Sequence, residues 1–261
     1  MIEHKFKKKF GQNFLQDKNI INKIANVAEP TKEDLVIEIG PGSGALTEFL
    51  VEKTRVLAYE IDKDLEETLN NKFKDKDLTI IFDDFLERDI NKDLEAFNYK
   101  KLYVIANLPY YITTPIITKI INEKIDVEKM VLMVQKEVGE RFSAKPGTKD
   151  YSSITIFLNY NNDIKKEFIV TKNAFYPKPN VDSIIISFSK KQKKYKVKDE
   201  ELFFKLVRDS FSQKRKTLKN NLKDYDYSKI EKVLVENNIP TDVRAEKLPI
   251  EIFIEISNNY L

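Results

Sequence analysis

Short apolar runs alternate with amphipathic stretches along the first 190 residues of the chain. Residues 35–39, 56–62, 78–82, 102–105 and 130–134 are rich in Val, Ile, Leu and aromatic residues, and each run stops at a glycine or a polar residue. Near-continuous apolar runs of this length belong to strands of a parallel sheet covered on both faces. Residues 168–170 and 183–188 read as two closing strands. Helical spacing appears before and between them, with Ile20, Ile21, Ile24 and Val27 on one face, and Ile116, Ile117, Ile120 and Ile121 following Thr114-Pro115. Proline at a first helical turn costs no hydrogen bond, so Pro115 marks a start. Residues 153–160 are too mixed to assign from periodicity. Residues 189–198 are lysine-rich without an apolar period and read as a linker. Beyond it only helical stripes occur: Phe203, Leu206, Val207 and Phe211, then Ile230, Val233 and Leu234, then Ile252, Phe253 and Ile256. The pattern predicts an α/β domain over 1–188 and a small all-helical domain over 189–261.

Two strand ends carry candidate chemistry. After the first run comes Glu38-Ile39-Gly40-Pro41-Gly42-Ser43-Gly44-Ala45, a glycine loop that leads into a helix. Such loops let the backbone approach a ligand and present free N–H groups to it, which suggests a nucleotide-like ligand. The dinucleotide fingerprint Gly-x-Gly-x-x-Gly is not met, because the third glycine falls one place early and Ala45 holds its position. Glu60, at the end of the next run, is placed to accept hydrogen bonds from both ribose hydroxyls, a role that dinucleotide and S-adenosylmethionine sites share. Asp84 follows the third run, where a turn aspartate accounts for it as well as a ligand contact does.

The fourth run ends in Ala106-Asn107-Leu108-Pro109-Tyr110-Tyr111. Pro109 cannot continue the ladder, so the strand stops at a polar Asn beside aromatic rings. Ligands of open α/β sheets bind just beyond the carboxyl ends of the strands. The Asn107 amide offers a donor and an acceptor, Leu108 a carbonyl held extended by the following proline, and Tyr110 a flat face. Together they suit a flat ring that bears an amino group.

Composition narrows the chemistry. The 261 residues include no cysteine and one histidine, His4, which leaves no disulfide, thiolate zinc site, catalytic thiol or histidine-rich metal site. No stretch reaches the roughly 18 apolar residues of a membrane span, and the N-terminus lacks a signal-peptide core, so a cytoplasmic protein is expected. The net charge of +3 conceals local balances of +4 over residues 1–23, −6 over 24–188, +9 over 189–223 and −4 over 224–261. Two basic blocks flanking an acidic body fit an electrostatic footprint for nucleic acid, although a solvated charged face gives the same count.

The string Ala-Asn-Leu-Pro-Tyr-Tyr-Ile-Thr-Thr-Pro at 106–115 resembles the small-subunit rRNA adenine dimethyltransferase family. So do Phe-Gly-Gln-Asn-Phe-Leu at 10–15, the Glu-x-Gly-x-Gly-x-Gly loop, Phe175-Tyr-Pro-Lys-Pro-Asn-Val-Asp-Ser183, the 211–222 stretch and Arg-Ala-Glu-Lys-Leu at 244–248. The resemblance spans nearly the whole chain. It implies a Rossmann-like class I methyltransferase domain with a mostly parallel seven-stranded sheet, plus a small helical RNA-binding domain. The implied cofactor is S-adenosylmethionine, held by Asn13, Leu15, Gly40, Gly42, Glu60, Asp84 and Asn107, with no metal. Asn107, Leu108, Tyr110 and Phe175 would hold the target adenine. The implied reaction dimethylates two adjacent adenines near the 3′ end of small-subunit rRNA, within an immature subunit and by a monomeric enzyme. Alternatives include a large-subunit rRNA adenine methyltransferase conferring antibiotic resistance and a noncatalytic RNA-binding assembly factor.

Overall fold

A computed structural model describes residues 14–192 and 195–261. In chain order the elements are β1 (Phe14–Leu15), α1 (Lys18–Val27), β2 (Leu35–Ile39), α2 (Thr47–Val51), β3 (Arg55–Tyr59), α3 (Glu66–Lys72), β4 (Leu78–Ile81) and α4 (Ile90–Leu94). Then come β5 (Leu102–Asn107), α5 (Thr113–Asn122), β6 (Lys129–Gln135), α6 (Lys136–Phe142), α7 (Ser153–Asn161), β7 (Asn162–Val170), β8 (Phe175–Tyr176) and β9 (Ser183–Lys190). The helices α8 (Glu200–Ser210), α9 (Leu218–Asn221), α10 (Tyr227–Glu236) and α11 (Ile250–Tyr260) complete the chain.

Seven strands form one sheet in the order β4-β3-β2-β5-β6-β9-β7. The pairs β4·β3, β3·β2, β2·β5 and β5·β6 are parallel, and β9 runs antiparallel to β6 from Lys129↔Ser189 to Gln135↔Ser183. Chain order reverses between β2 and β5, so loops leaving those two strands diverge and open a crevice at their carboxyl ends. All five residues of β2 are buried, four of them apolar and the fifth Glu38. The edge strand β7 begins six residues earlier than its apolar residues 168–170 suggest. Lys165 and Lys166 lie exposed along it, and a sheet edge tolerates such residues because one side of the strand faces water.

The chain divides into two compact units, one made of residues up to Gly139 with Lys165–Lys190, the other of Glu140–Ile164 with Lys191–Leu261. This differs from a division at 188/189 by one excursion, residues 140–164, and by Ser189 and Lys190, which extend β9 against β6 instead of opening the linker. Tyr151 and Ile156 from that excursion join the buried cluster of Phe203, Leu206, Ile230, Leu234 and Phe253, and the Phe157 ring meets Phe204 edge-on with centroids 5.3 Å apart. Residues 153–160 are helical. Thr155 Oγ1 accepts the Ser152 N–H at 3.2 Å, half of a capping box that tethers one of the donors a helix start leaves free. Asp199, Thr217 and Asp226 cap α8, α9 and α10 by accepting backbone N–H groups. Lys214, Arg215 and Lys216 lie exposed between α8 and α9. Among the described residues no helix is long and apolar enough to cross a membrane.

Candidate functional site

The glycine loop is held from below by one carboxylate. Glu60, 3% exposed at the end of β3, accepts the Gly42 N–H at 2.9 Å on one oxygen and the Asp62 N–H at 2.9 Å on the other. Burial pushes its carboxyl above the usual range, while these N–H bonds and that of Ile61 pull it back. With three N–H donors on its roughly four lone-pair sites, the carboxylate keeps room for a further donor. Gly40, Gly42 and Gly44 have φ of +71°, +57° and +76°, a region that costs other residues. Gly44 also lies against Phe73 of the 66–73 segment, and a Cβ there would stand 2.5 Å from the ring.

On the β4 side, Asp84 Oδ1 accepts the Leu86 N–H at 2.9 Å, so it does serve as a turn aspartate, with its second oxygen left for another donor. Beside it Asp83 accepts the Asp84 N–H at 2.9 Å. The Tyr59 hydroxyl donates to Asp93 at 3.1 Å, and the Arg88 guanidinium bonds Asp93 and faces Asp83. That network fixes the 83–85 turn. Phe85, 3% exposed, meets Tyr59 edge-on with centroids 5.1 Å apart.

From β5, Asn107 reaches the carboxyl end of the sheet half-buried, and no described residue hydrogen-bonds its side chain. Leu108 is buried, and the Pro109 carbonyl accepts the Ile112 N–H at 3.2 Å to turn the chain into α5. The Tyr110 hydroxyl sits 2.9 Å from Ser183 Oγ, which anchors the ring to β9. Burial raises the Tyr110 pKa, with Ser183 opposing, so the phenol is neutral at pH 7. Phe175 comes from the short pair β1·β8, where it faces Leu15.

These elements enclose one cavity of about 360 Å³. Leu15, Gly40, Gly42, Glu60, Asp84, Asn107, Leu108, Tyr110 and Phe175 all line it. Asn13 lies outside the described residues. Glu38, which has no role assigned in the sequence motifs considered above, also lines the cavity, although a carboxylate inside an otherwise apolar strand is itself a signal. Four carboxylates, those of Glu38, Glu60, Asp83 and Asp84, face the cavity, and no lysine or arginine among the described residues does. Bringing a pyrophosphate there would set like charges together; a nucleoside that carries positive charge meets complementary ones. No group of three or more metal-binding side chains occurs among the described residues.

The strand order, with an antiparallel strand beside the last parallel one, and the acidic nucleoside-sized cavity at its switch point define a Rossmann-like class I methyltransferase. The model of the ribosomal RNA adenine dimethylase family matches residues 3–261, and the chain belongs to that family. It is 42% identical over 259 residues to the ribosomal RNA small subunit methyltransferase A of Clostridium acetobutylicum, covering 97% of this chain and 93% of the relative. The protein of the same name from Lactococcus lactis is 43% identical over 265 residues, covering 98% and 90%. Among solved structures, a dimethyladenosine transferase from Plasmodium falciparum superposes with a TM-score of 0.76 at 25% identity, over 93% of this chain and 95% of that one. The 23S rRNA methyltransferase ErmE shares the fold, with a TM-score of 0.74 at 23% identity over 95% and 99%.

Proposed function

We propose that this enzyme uses S-adenosylmethionine to dimethylate the exocyclic amino groups of two adjacent adenines near the 3′ end of small-subunit rRNA. The observation that carries the reading is the pairing of one acidic, nucleoside-sized cavity with Asn107-Leu108-Pro109-Tyr110 and Phe175 in its wall. Relatives named for the small ribosomal subunit supply the substrate. Leu15, Gly40, Gly42, Glu60 and Asp84 would hold the cofactor, and the acidic lining suits its net positive charge. Bound there, it supplies a methyl group on a sulfonium whose departure leaves a neutral thioether.

The protein's own task is to prepare the amine. Adenine's amino lone pair is delocalised into the ring. The Asn107 side-chain oxygen and the Leu108 carbonyl accept its two N–H groups and hold the nitrogen toward tetrahedral geometry. Tyr110 and Phe175 stack on a base taken out of its helix. Neither a strong base nor a metal is required, because the amine loses its proton after attack. All these groups come from one chain, as a monomeric cytoplasmic enzyme requires, and the +9 stretch at 189–223 supplies phosphate contacts. The test is transfer of labelled methyl groups to immature small subunits, with modified adenines mapped by mass in both rRNAs. Label on large-subunit rRNA, or RNA binding without any transfer, overturns the reading.

A further inference from the structure

Beyond its place in the acidic lining, Glu38 has no role in the mechanism above. It interrupts the apolar strand β2, is 2% exposed and lines the cavity, and its Oε2 has no hydrogen-bond partner among the described residues. A buried carboxylate left so is costly unless it meets a cation or holds a proton. Its neighbour Glu60 is also buried, and two adjacent carboxylates do not ionise independently. Glu60 accepts N–H bonds from Gly42 and Asp62, which favour its charged form, so the proton of the pair resides on Glu38.

The surrounding charges agree. From α3, the Lys72 ammonium is engaged 2.8 Å from the Ser43 carbonyl and 2.7 Å from Glu48 of α2. Asp83 and Asp84 line the same cavity and Asp62 lies beyond Glu60. Burial first, and then the charge of Glu60, push the Glu38 carboxyl up to about 8, with the Thr47 hydroxyl and Lys72 acting in the other direction.

We infer that Glu38 is a specificity-determining residue for ligand charge: it carries a proton in the free protein and releases it to solvent when a cationic ligand enters the cavity. The Glu38 O–H bond breaks, the proton passes to buffer, and the carboxylate left behind faces the positive charge of the ligand. A neutral ligand gives no such exchange. This inference rests on the cofactor reading given above.

The test is calorimetric titration of the full chain with S-adenosylmethionine from pH 6 to 8, in buffers of different ionisation enthalpy, for wild type and Glu38→Gln. Titration of the ligand's own amine is common to both proteins and cancels between them. With the free-state carboxyl near 8, wild-type affinity relative to the variant rises about fifty-fold between pH 6 and pH 8, and wild type releases about 0.9 more proton at pH 7. Methylthioadenosine, which has the nucleoside and a thioether but no charge, releases none from wild type, a measurement that does not depend on the variant. Proton release equal in wild type and Glu38→Gln, or equal for the two ligands on wild type, overturns the inference while leaving the cofactor reading intact. Failure of wild type to bind S-adenosylmethionine at any pH overturns the cofactor reading itself, and this inference with it.

Discussion

Gly40 and Gly44 share a left-handed backbone but differ in what surrounds them, so the same substitution separates two physical costs. At Gly40, φ is +71° and a Cβ would meet nothing within 4 Å; at Gly44, φ is +76° and a Cβ would stand 2.5 Å from Phe73 Cε2 and 2.7 Å from Cζ. Gly40→Ala therefore incurs the left-handed conformation alone, roughly 1–2 kcal/mol, less about 0.4–1 kcal/mol recovered because alanine restricts the unfolded chain. Gly44→Ala adds overpacking. Phe73 is 6% exposed, and moving its ring aside would give up that burial, so a further cost of about 1–3 kcal/mol is expected. The prediction is a loss of about 2–4 kcal/mol for Gly44→Ala against about 1 kcal/mol or less for Gly40→Ala.

Urea denaturation at fixed m-value measures both. Phe73→Leu provides the internal check, since shortening the ring removes the clash but not the φ strain. Gly44→Ala in the Phe73→Leu background should cost about as much as Gly40→Ala, a favourable coupling of about 1–3 kcal/mol in the double-mutant cycle. If Gly44→Ala lies within about 0.5 kcal/mol of Gly40→Ala, or the cycle shows no coupling, the third glycine is not there for Phe73.

Three further outcomes are expected. Asn107→Ala removes the proposed side-chain acceptor for the target amine and should slow single-turnover methyl transfer at saturating cofactor by roughly 10²–10³, with RNA binding unchanged; a loss under about threefold removes Asn107 from the mechanism. Neutralising Lys214, Arg215 and Lys216 together should flatten the logarithmic dependence of RNA affinity on salt by about 0.7–0.9 per lost phosphate contact, and an unchanged slope marks the run as solvated charge only. The Glu38 carboxyl is raised in the fold, so between its unfolded value of 4.5 and about 8 the native state binds the extra proton and the cofactor-free protein loses stability as pH rises. Glu38→Gln should remove that loss, on the order of 4 kcal/mol when urea denaturation at pH 8 is compared with pH 4, and an unchanged pH slope places the titration elsewhere.

The strands of the sheet interior were legible because they are buried on both faces and read as near-continuous apolar runs, with Glu38 the one charge inside β2. Asn107 and Pro109 stood out because they end such a run. What stayed hidden depended on neighbours distant in sequence. Residues 162–167 of β7 are mostly polar, since an edge strand half in water need not look like its buried partners. Residues 153–160 carry apolar groups around much of their circumference because Ile156 and Phe157 pack against a helix more than forty residues downstream. No local period reveals that the excursion at 140–164 shares a core with Phe203 and Phe204. Asp84 had two readings in the sequence, and the structure gives one oxygen to the turn and leaves the other.

The choice between a dinucleotide and a sulfonium ligand shows how spatial arrangement settles what spacing leaves open. In the sequence, Glu60 serves either cofactor, and a third glycine one place early is a weak discriminator. In the fold, Gly44 is tied to Phe73 rather than to a ligand, so its displacement from the fingerprint reports helix packing and says little about what binds. The discriminating feature is collective. Glu38 from β2, Glu60 from β3 and the Asp83-Asp84 turn after β4 converge on one cavity, and no lysine or arginine among the described residues joins them. A single carboxylate is compatible with a pyrophosphate bound elsewhere in the crevice. Glu60, Asp83 and Asp84 make an anion's entry unfavourable and a cation's favourable, Glu38 adds its charge once a cation draws off its proton, and a ligand whose positive charge disappears on methyl transfer loses part of what holds it.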